Sequence, residues 1–214
     1  PNVEVPYTAV TEITADGLRF RDLITNGLLE KYEDWRYSEI CRAKDLAARM
    51  TVPQKVGLMS EGSTIGSGTA TGDISQAVNT IAVDNRRQAL IRLGSITPTQ
   101  YATYLNNVQA LAEGLPLAIP FVVTADPVHS ISTCTNGTSG AQTMCGNNGS
   151  GNPTIQVSHW PQPFGMGAIN NTDTTFAFGN TIRAEFMAMG FRWQLGPMAD
   201  IATEPRWARV QNLF

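Results

Sequence analysis

The spacing of apolar positions switches along the chain between helical stripes and short continuous runs. Ser38 stands where an N-cap is wanted, and Ile40, Ala43, Leu46, Ala47 and Met50 follow on one face, which predicts a helix to about Met50. Thr51 and Gln54 form a capping-box pair with Pro53 in the first turn, so a second, short helix starts at once and carries Val56, Leu58 and Met59. Residues 81–93 fit no single period and predict an early strand and turn. Thr97-Pro98 opens a helix to Glu113, where Tyr101, Tyr104, Leu105, Val108, Leu111 and Ala112 make one stripe and Gly114 stops it. Leu115–Thr124 (LPLAIPFVVT) is a continuous apolar run with β-branched residues, the pattern of a strand buried on both faces in a parallel sheet. Residues 127–159 read as an inserted loop. Thr172 or Asp173 then starts a helix with Phe178, Ile182, Phe186 and Met189 on one side and Gly190 as its stop. Phe191–Leu195 predicts a short strand, and Pro197–Phe214 an extended segment. Helix, strand, loop, helix, strand is the rhythm of βα units.

Composition narrows the function classes. The 214 residues are 42% hydrophobic and 15% charged, which suits a globular fold, with Gly, Ser, Thr and Asn filling the polar surface. That balance points to an extracellular, loop-rich protein. Net charge is −3 with Lys and Arg scattered, so the electrostatic footprint of a nucleic-acid binder is missing. No apolar run approaches the roughly 20 residues that cross a bilayer. The first ten residues lack the basic and apolar regions of a signal peptide, which fits a processed or trimmed end. Residues 60–72 (SEGSTIGSGTATG) lack the Gly-Lys-Ser/Thr ending and GxGxxG spacing of a phosphate cradle.

Two motifs remain open at this level. In GLRFRDLITNGLLEKYEDW (17–35), Asp22, Asn26, Glu30 and Glu33 fall at positions 1, 5, 9 and 12 of a calcium loop and Gly27 at position 6. Ile24 at position 3 offers no oxygen, so the alternative is a degenerate turn held by hydrogen bonds. Cys134 and Cys145 lie close together in a polar loop and suggest a disulfide, with two reduced loop thiols as the alternative; Cys41 reads as a buried free thiol. Neither His129 nor His159 stands at a zinc-like spacing from both loop cysteines.

Three segments in order resemble glycoside hydrolase family 3, the β-glucosidase family. LAARMTVPQKVGLM (46–59) is similar to its opening helix pair. LPLAIPFVVTADPVHS (115–130) is similar to its strand that ends in a sugar-holding aspartate. The stretch from Trp160 to Phe214 resembles its PQP-plus-glycine turn, helix, short strand, Gly-Pro and PRWGR-like signature. The turn at 17–35 resembles the leader of many bacterial members. The resemblance implies an α/β fold, the first half of a TIM-type (β/α)8 barrel that needs a further chain segment. It makes residues 1–37 a leader and 38–214 the N-terminal part of the barrel domain, with 127–159 as an insert.

In such a barrel the site lies at the C-terminal ends of the strands. By resemblance, Asp126 and Arg209 line the subsite for a terminal glucose, the carboxylate accepting sugar hydroxyls and the guanidinium gripping them. A turn carboxylate and an ion pair within the segment are the plainer alternatives, and Arg206 reads as structural. Trp160 and His129 are rim candidates, against core packing for Trp160 and no duty for His129. The chain departs from the family at Ala208, where PRWGR has glycine, and at Pro127-Val128-His129-Ser130, which replaces a glycine-rich continuation.

The resemblance implies a retaining exo-β-glucosidase acting on cello-oligosaccharides or glucosides without a cofactor, secreted or periplasmic. Retaining glycosidases need two carboxyl groups about 5 Å apart. The family's nucleophile and acid/base fall outside these residues, and a barrel takes about 250 residues. The expectation is therefore a piece of a longer enzyme, inactive alone, whose partners are its substrate and the remainder of the enzyme as a continuing or separate chain. The family's N-acetylhexosaminidase branch and a non-catalytic carbohydrate- or calcium-binding module are the alternatives. Asn136, Asn148 and Asn170 match the Asn-linked glycosylation pattern.

Overall fold

The computed structural model describes residues 10–61, 74–91, 98–125, 145–147, 153–155, 157–161, 163–196 and 203–207. They form a mixed α/β fold. In chain order come β1 (Thr11–Ala15), β2 (Leu18–Asp22), α1 (Glu39–Arg49), α2 (Val52–Leu58), α3 (Ser75–Val78), a π-helical turn (Asn79–Val83), β3 (Gln88–Leu90) and α4 (Pro98–Glu113). A 3-10 turn (Pro116–Ala118), β4 (Val122–Ala125), β5 (Cys145–Asn147), β6 (Pro153–Ile155), α5 (Pro163–Ile169), α6 (Thr172–Met189) and β7 (Trp193–Gln194) follow. The chain divides into two compact units: Pro1–Ser63 with Ile74–Ala89 and Asn106–Phe121, and Thr64–Asp73 with Leu90–Leu105 and Val122–Phe214.

The first unit begins with a hairpin that the apolar pattern did not announce. β1 and β2 pair antiparallel, Thr11 opposite Asp22 and Ile13 opposite Phe20. Asp16 and Gly17 close the hairpin with φ of 53° and 75°, the two left-handed residues that a two-residue turn requires to match strand twist. Helix α1 starts where expected, Ser38 Oγ accepting the Cys41 N–H at 3.4 Å. Its apolar stripe is not a core face, however. No residue of α1 is buried, Ile40 is 68% exposed, and Cys41 is an exposed free thiol rather than a buried one. Met50, just past the helix, is the residue that goes inside.

The capping box that opens α2 is complete: Thr51 Oγ1 accepts from Gln54 N–H, and Gln54 Oε1 accepts from Thr51 N–H at 2.9 Å. Gly57 in that helix is buried because nothing larger fits; a Cβ there would stand 2.3 Å from the Asn85 carbonyl oxygen. Residues 81–93, predicted to hold an early strand and turn, do hold β3, but the stretch opens helical. α3 runs into the π-turn, whose Asp84 N–H reaches back to Asn79 O at 3.0 Å, and pairing begins only at Gln88.

Helix α4 fulfils its stripe: Tyr101, Tyr104, Leu105, Val108, Leu111 and Ala112 are all buried. The strand after it is shorter than the apolar run. Pro116 and Pro120 remove two donors, and Leu117 and Ala118 adopt φ of 70° and 42°, so the chain turns before it extends at Val122. The predicted insert holds a small antiparallel pair, β5 with β6, Cys145 opposite Ile155. Helix α5 stands where the sequence predicts a turn, and α6 begins at Thr172 as expected, capped by Asn171, whose Oδ1 accepts the Thr174 N–H at 2.9 Å.

Candidate functional site

β4 is the strand that leads to the aspartate. It is the middle strand of a three-stranded sheet of order β3-β4-β7. Val123, Thr124 and Ala125 are buried, as expected of a strand covered on both faces. β4 and β7 run parallel, Thr124 opposite Trp193 and Ala125 opposite Gln194, so both open toward the same end. Leu195 N–H donates to Ala125 O at 3.0 Å, Arg192 N–H to Val123 O at 3.4 Å, and Ile91 N–H to Thr124 O at 2.9 Å.

Behind that edge sits an aromatic core. Phe191 lies 4.9 Å from Phe186 and 5.5 Å from Tyr101, ring centroid to centroid. Gly190 makes the close approach possible: it ends α6 at φ 102°, and a Cβ there would meet Leu105 at 3.2 Å. Apolar side chains at helical spacing on α4 and α6 therefore set where β7, and with it the parallel edge of β4, comes to rest.

The entry to β4 is pinned by an amide that the pattern of apolar residues could not flag. Gln109, on α4, accepts the Phe121 N–H at 3.0 Å through Oε1 and donates to Phe121 O through Nε2. The side chain thus imitates a neighbouring strand for one residue. Sequence offers no hint of this, because Gln109 is one of four carboxamides on α4, with Gln100, Asn106 and Asn107.

Asp126 follows β4 immediately in sequence, but Asp126, His129, Cys134 and Arg209 lie outside the described residues, as do the Cys134–Cys145 pairing and Ala208. Of the rim candidates, Trp160 is described. Its Nε1–H donates to Ser158 Oγ at 3.0 Å and its ring packs on Phe178 at 5.3 Å, so one side of the indole is committed to α6. Ser158 N–H in turn donates to Glu185 at 3.1 Å, which ties the segment before α5 to the same helix. Arg206 forms a forked pair with Glu204 at 2.7 and 2.8 Å. That pairing lowers the Glu204 carboxyl to about 2 and is a local turn contact with solvent around it.

The calcium-like loop spends its oxygens on the backbone. Asp22, 4% exposed, accepts N–H groups of Asn26 (3.1 Å) and Gly27 (2.9 Å) and the Thr11 hydroxyl (3.3 Å). Glu33, 5% exposed, accepts those of Leu23 (2.7 Å), Ile24 (3.0 Å) and Glu30 (2.8 Å). Asn26 Oδ1 accepts the Leu28 N–H at 2.9 Å, while Glu30 takes the Asn26 amide at 3.1 Å and pairs with Arg49. Among the described residues no group of three His, Cys, Asp or Glu side chains has an arrangement that could hold a metal ion.

The leader also borders a groove of about 460 Å³ in the first unit, walled by Phe20, Trp35, Leu46 and Ile119. Several of its polar groups are engaged with each other or with backbone. Arg21 pairs with Glu113, Arg42 Nε–H donates to Tyr32 O at 3.1 Å, and the Tyr32 hydroxyl donates to Leu117 O at 3.2 Å. Burial and the neighbouring Glu33 push the Tyr32 phenol above its ordinary value, which keeps that hydroxyl a donor.

A family model described as the glycosyl hydrolase family 3 N terminal domain matches residues 146–214. A periplasmic beta-glucosidase/beta-xylosidase of Dickeya chrysanthemi is 36% identical over 207 residues, 94% of this chain and 30% of its own length. This chain belongs to glycoside hydrolase family 3. The family 3 match takes in β6, α5, α6, β7 and the PRWAR segment, so the α6–β7 edge beside β4 is built from family sequence. Two fungal proteins are similar over most of the chain as well. The probable beta-glucosidase C of Aspergillus oryzae is 29% identical over 86% of the chain and 27% of its own length. The beta-glucosidase C of Emericella nidulans is 28% identical over 90% of the chain and 29% of its own length. The chain thus spans about 30% of the length of the curated relatives it matches. Among the described residues no helix is long and apolar enough to cross a membrane.

Proposed function

We propose that this family 3 chain forms the glucose-holding part of a retaining, exo-acting β-glucosidase that removes terminal non-reducing β-D-glucosyl residues from cello-oligosaccharides or glucosides. The observation that carries the reading is the 36% identity, over 94% of the chain, to a protein named for β-glucosidase and β-xylosidase activity. Two parallel strands opening at one end, β4 beside β7, support it, because barrel enzymes build their sites at the C-terminal ends of strands. In this reading the described strands are the first of a (β/α)8 barrel. Asp126 accepts hydrogen bonds from two adjacent sugar hydroxyls, Arg209 grips the same ring, and His129 and Trp160 stand at the rim.

A carboxylate and a guanidinium position the sugar; they do not cleave it. The nucleophile and the acid/base, about 5 Å apart in a retaining enzyme, come from sequence outside these residues, in a continuing or separate chain. The name of the bacterial relative, periplasmic, and the composition support a secreted or periplasmic enzyme; in this reading it works without a cofactor. The same name favours a second reading, hydrolysis of β-xylosides, which lack only the hydroxymethyl arm of glucose.

The test is a panel of aryl β-glucoside, β-xyloside and β-N-acetylglucosaminide hydrolysed by the enzyme that carries these residues. Turnover of the glucoside, with release of a single sugar from the non-reducing end of cello-oligosaccharides, is expected. Preference for the xyloside replaces the first reading with the second. Activity confined to the N-acetylglucosaminide moves the chain to the other branch of the family, and saccharide binding with no hydrolysis makes it a non-catalytic module.

A further inference from the structure

The turn between α5 and α6 carries two adjacent asparagines with different roles. Asn171 is the cap of α6: extended at φ −129°, it accepts the Thr174 N–H through its side chain. Asn170 is exposed and left-handed at φ 48°, and only its backbone is engaged, the N–H donating to Gly167 O at 3.1 Å. Of the two, Asn170 is the one in the Asn-X-Thr frame, with Thr172 exposed at the first position of α6. The sequence therefore puts the acceptor pattern on the carboxamide that has no structural duty and withholds it from the one that caps. Beside it in the chain stand exposed apolar side chains, Ile169 and, on the second turn of α6, Phe176, 78% open to solvent.

We propose that Asn170 is a site of Asn-linked glycosylation, and that the attached oligosaccharide shields this apolar end of α5 and α6. The donor is a polyprenyl-diphosphate-linked oligosaccharide. The Asn170 amide nitrogen attacks C1 of the transferred sugar, an N–C1 bond forms, and the C1–O bond to the diphosphate breaks. The amide gives one proton to base, and the lipid diphosphate leaves. Asparagine tolerates the left-handed conformation, the residue is exposed here, and, on the secreted reading proposed above, an exposed turn is where such acceptors lie. The inference is independent of the Asp126 reading, which concerns sugar cleavage rather than sugar attachment. Asn136 and Asn148, which share the pattern, lie outside the described residues.

The test uses the full chain behind an appended signal peptide in a eukaryotic secretory host, collected from medium and cell lysate alike. Chymotryptic cleavage after Phe164 and Phe176 isolates residues 165–176 from the other two sequons. In the wild type and in Thr172→Ser this peptide is expected to carry glycan, and peptide:N-glycosidase F is expected to leave aspartate at 170. In Thr172→Ala it is expected to remain unmodified asparagine. A wild-type peptide without glycan, while a co-expressed control protein is glycosylated, overturns the proposal.

Discussion

The leader and the sheet core of this chain solve the same folding problem with different forces. Around β4, α6 and β7 the chain is ordered by apolar area: Phe186, Phe191, Tyr101 and Val123 are buried and make few polar demands. Around Asp22 and Glu33 few apolar side chains are buried, Phe20 and Tyr32 among them, and two buried carboxylates gather five backbone N–H groups. An apolar core loses stability with the area and cavity that a deletion leaves, whereas a polar hub loses it when its one acceptor is removed and its donors are left dry. Precision at the strand ends is thus set by packing, while precision in the leader is set by hydrogen-bond count.

The largest expected effect lies in the apolar region. Phe191→Ala removes a ring packed against both Phe186 and Tyr101 and should destabilise by about 4 kcal/mol, as full deletion of a buried phenylalanine does. Denaturant unfolding with an unchanged m-value checks it. A loss under about 1 kcal/mol would mean that the core there is not close-packed.

The leader should answer somewhat less strongly but with a sharper chemical signature. Glu33→Ala strands three N–H groups and should cost about 3 kcal/mol, while Glu33→Gln keeps one acceptor oxygen and should cost roughly half as much. Adding calcium or a chelator should leave the Tm of the wild type in place, because the loop oxygens already accept backbone donors. A rise in Tm with calcium that Glu33→Gln abolishes would turn the polar hub into a cation site and erase the contrast.

The smallest effect is the acid response. The Arg36 guanidinium holds the Asp34 carboxyl below its ordinary range, through a fork at 2.7 and 2.8 Å. A carboxyl with a lowered folded value stabilises fully above its unfolded value, about pH 4, and loses that contribution as pH falls below it. Stability measured from pH 6 down to pH 2 should therefore decline less steeply in Asp34→Asn than in the wild type. Parallel curves would assign the acid loss elsewhere.

Elements with strong periodicity were legible in the sequence, and those set by backbone geometry were not. The stripe from Tyr101 to Ala112 and the Thr51–Gln54 box came through because each residue's local preference agrees with its tertiary burial. The apolar run Leu115–Thr124 has the pattern of one long strand, yet its prolines and the left-handed Leu117 and Ala118 leave only its last residues paired. Ile81 and Val83 are β-branched but sit in a π-turn, where fit inside the unit outweighs a weak propensity. Asp16-Gly17 signals the hairpin, but its five-residue strands carry only two apolar positions each, too few to establish a period. Residue type alone argues for a buried Cys41, but α1 buries nothing. As for the site, periodicity supplies a buried parallel strand and its direction. The identities of Asp126 and Arg209 as sugar ligands come from family resemblance, since no spacing rule distinguishes a binding aspartate from a turn aspartate.

Asp126→Ala measured against wild type is the most direct test of the account, with an aryl β-glucoside as substrate and the enzyme that carries these residues as catalyst. Two charge-assisted hydrogen bonds to adjacent hydroxyls are worth about 3 kcal/mol together, so kcat/KM should fall roughly a hundredfold or more while the Tm moves little. An unchanged kcat/KM would remove Asp126 from the sugar site and leave β4 as a strand of the core alone.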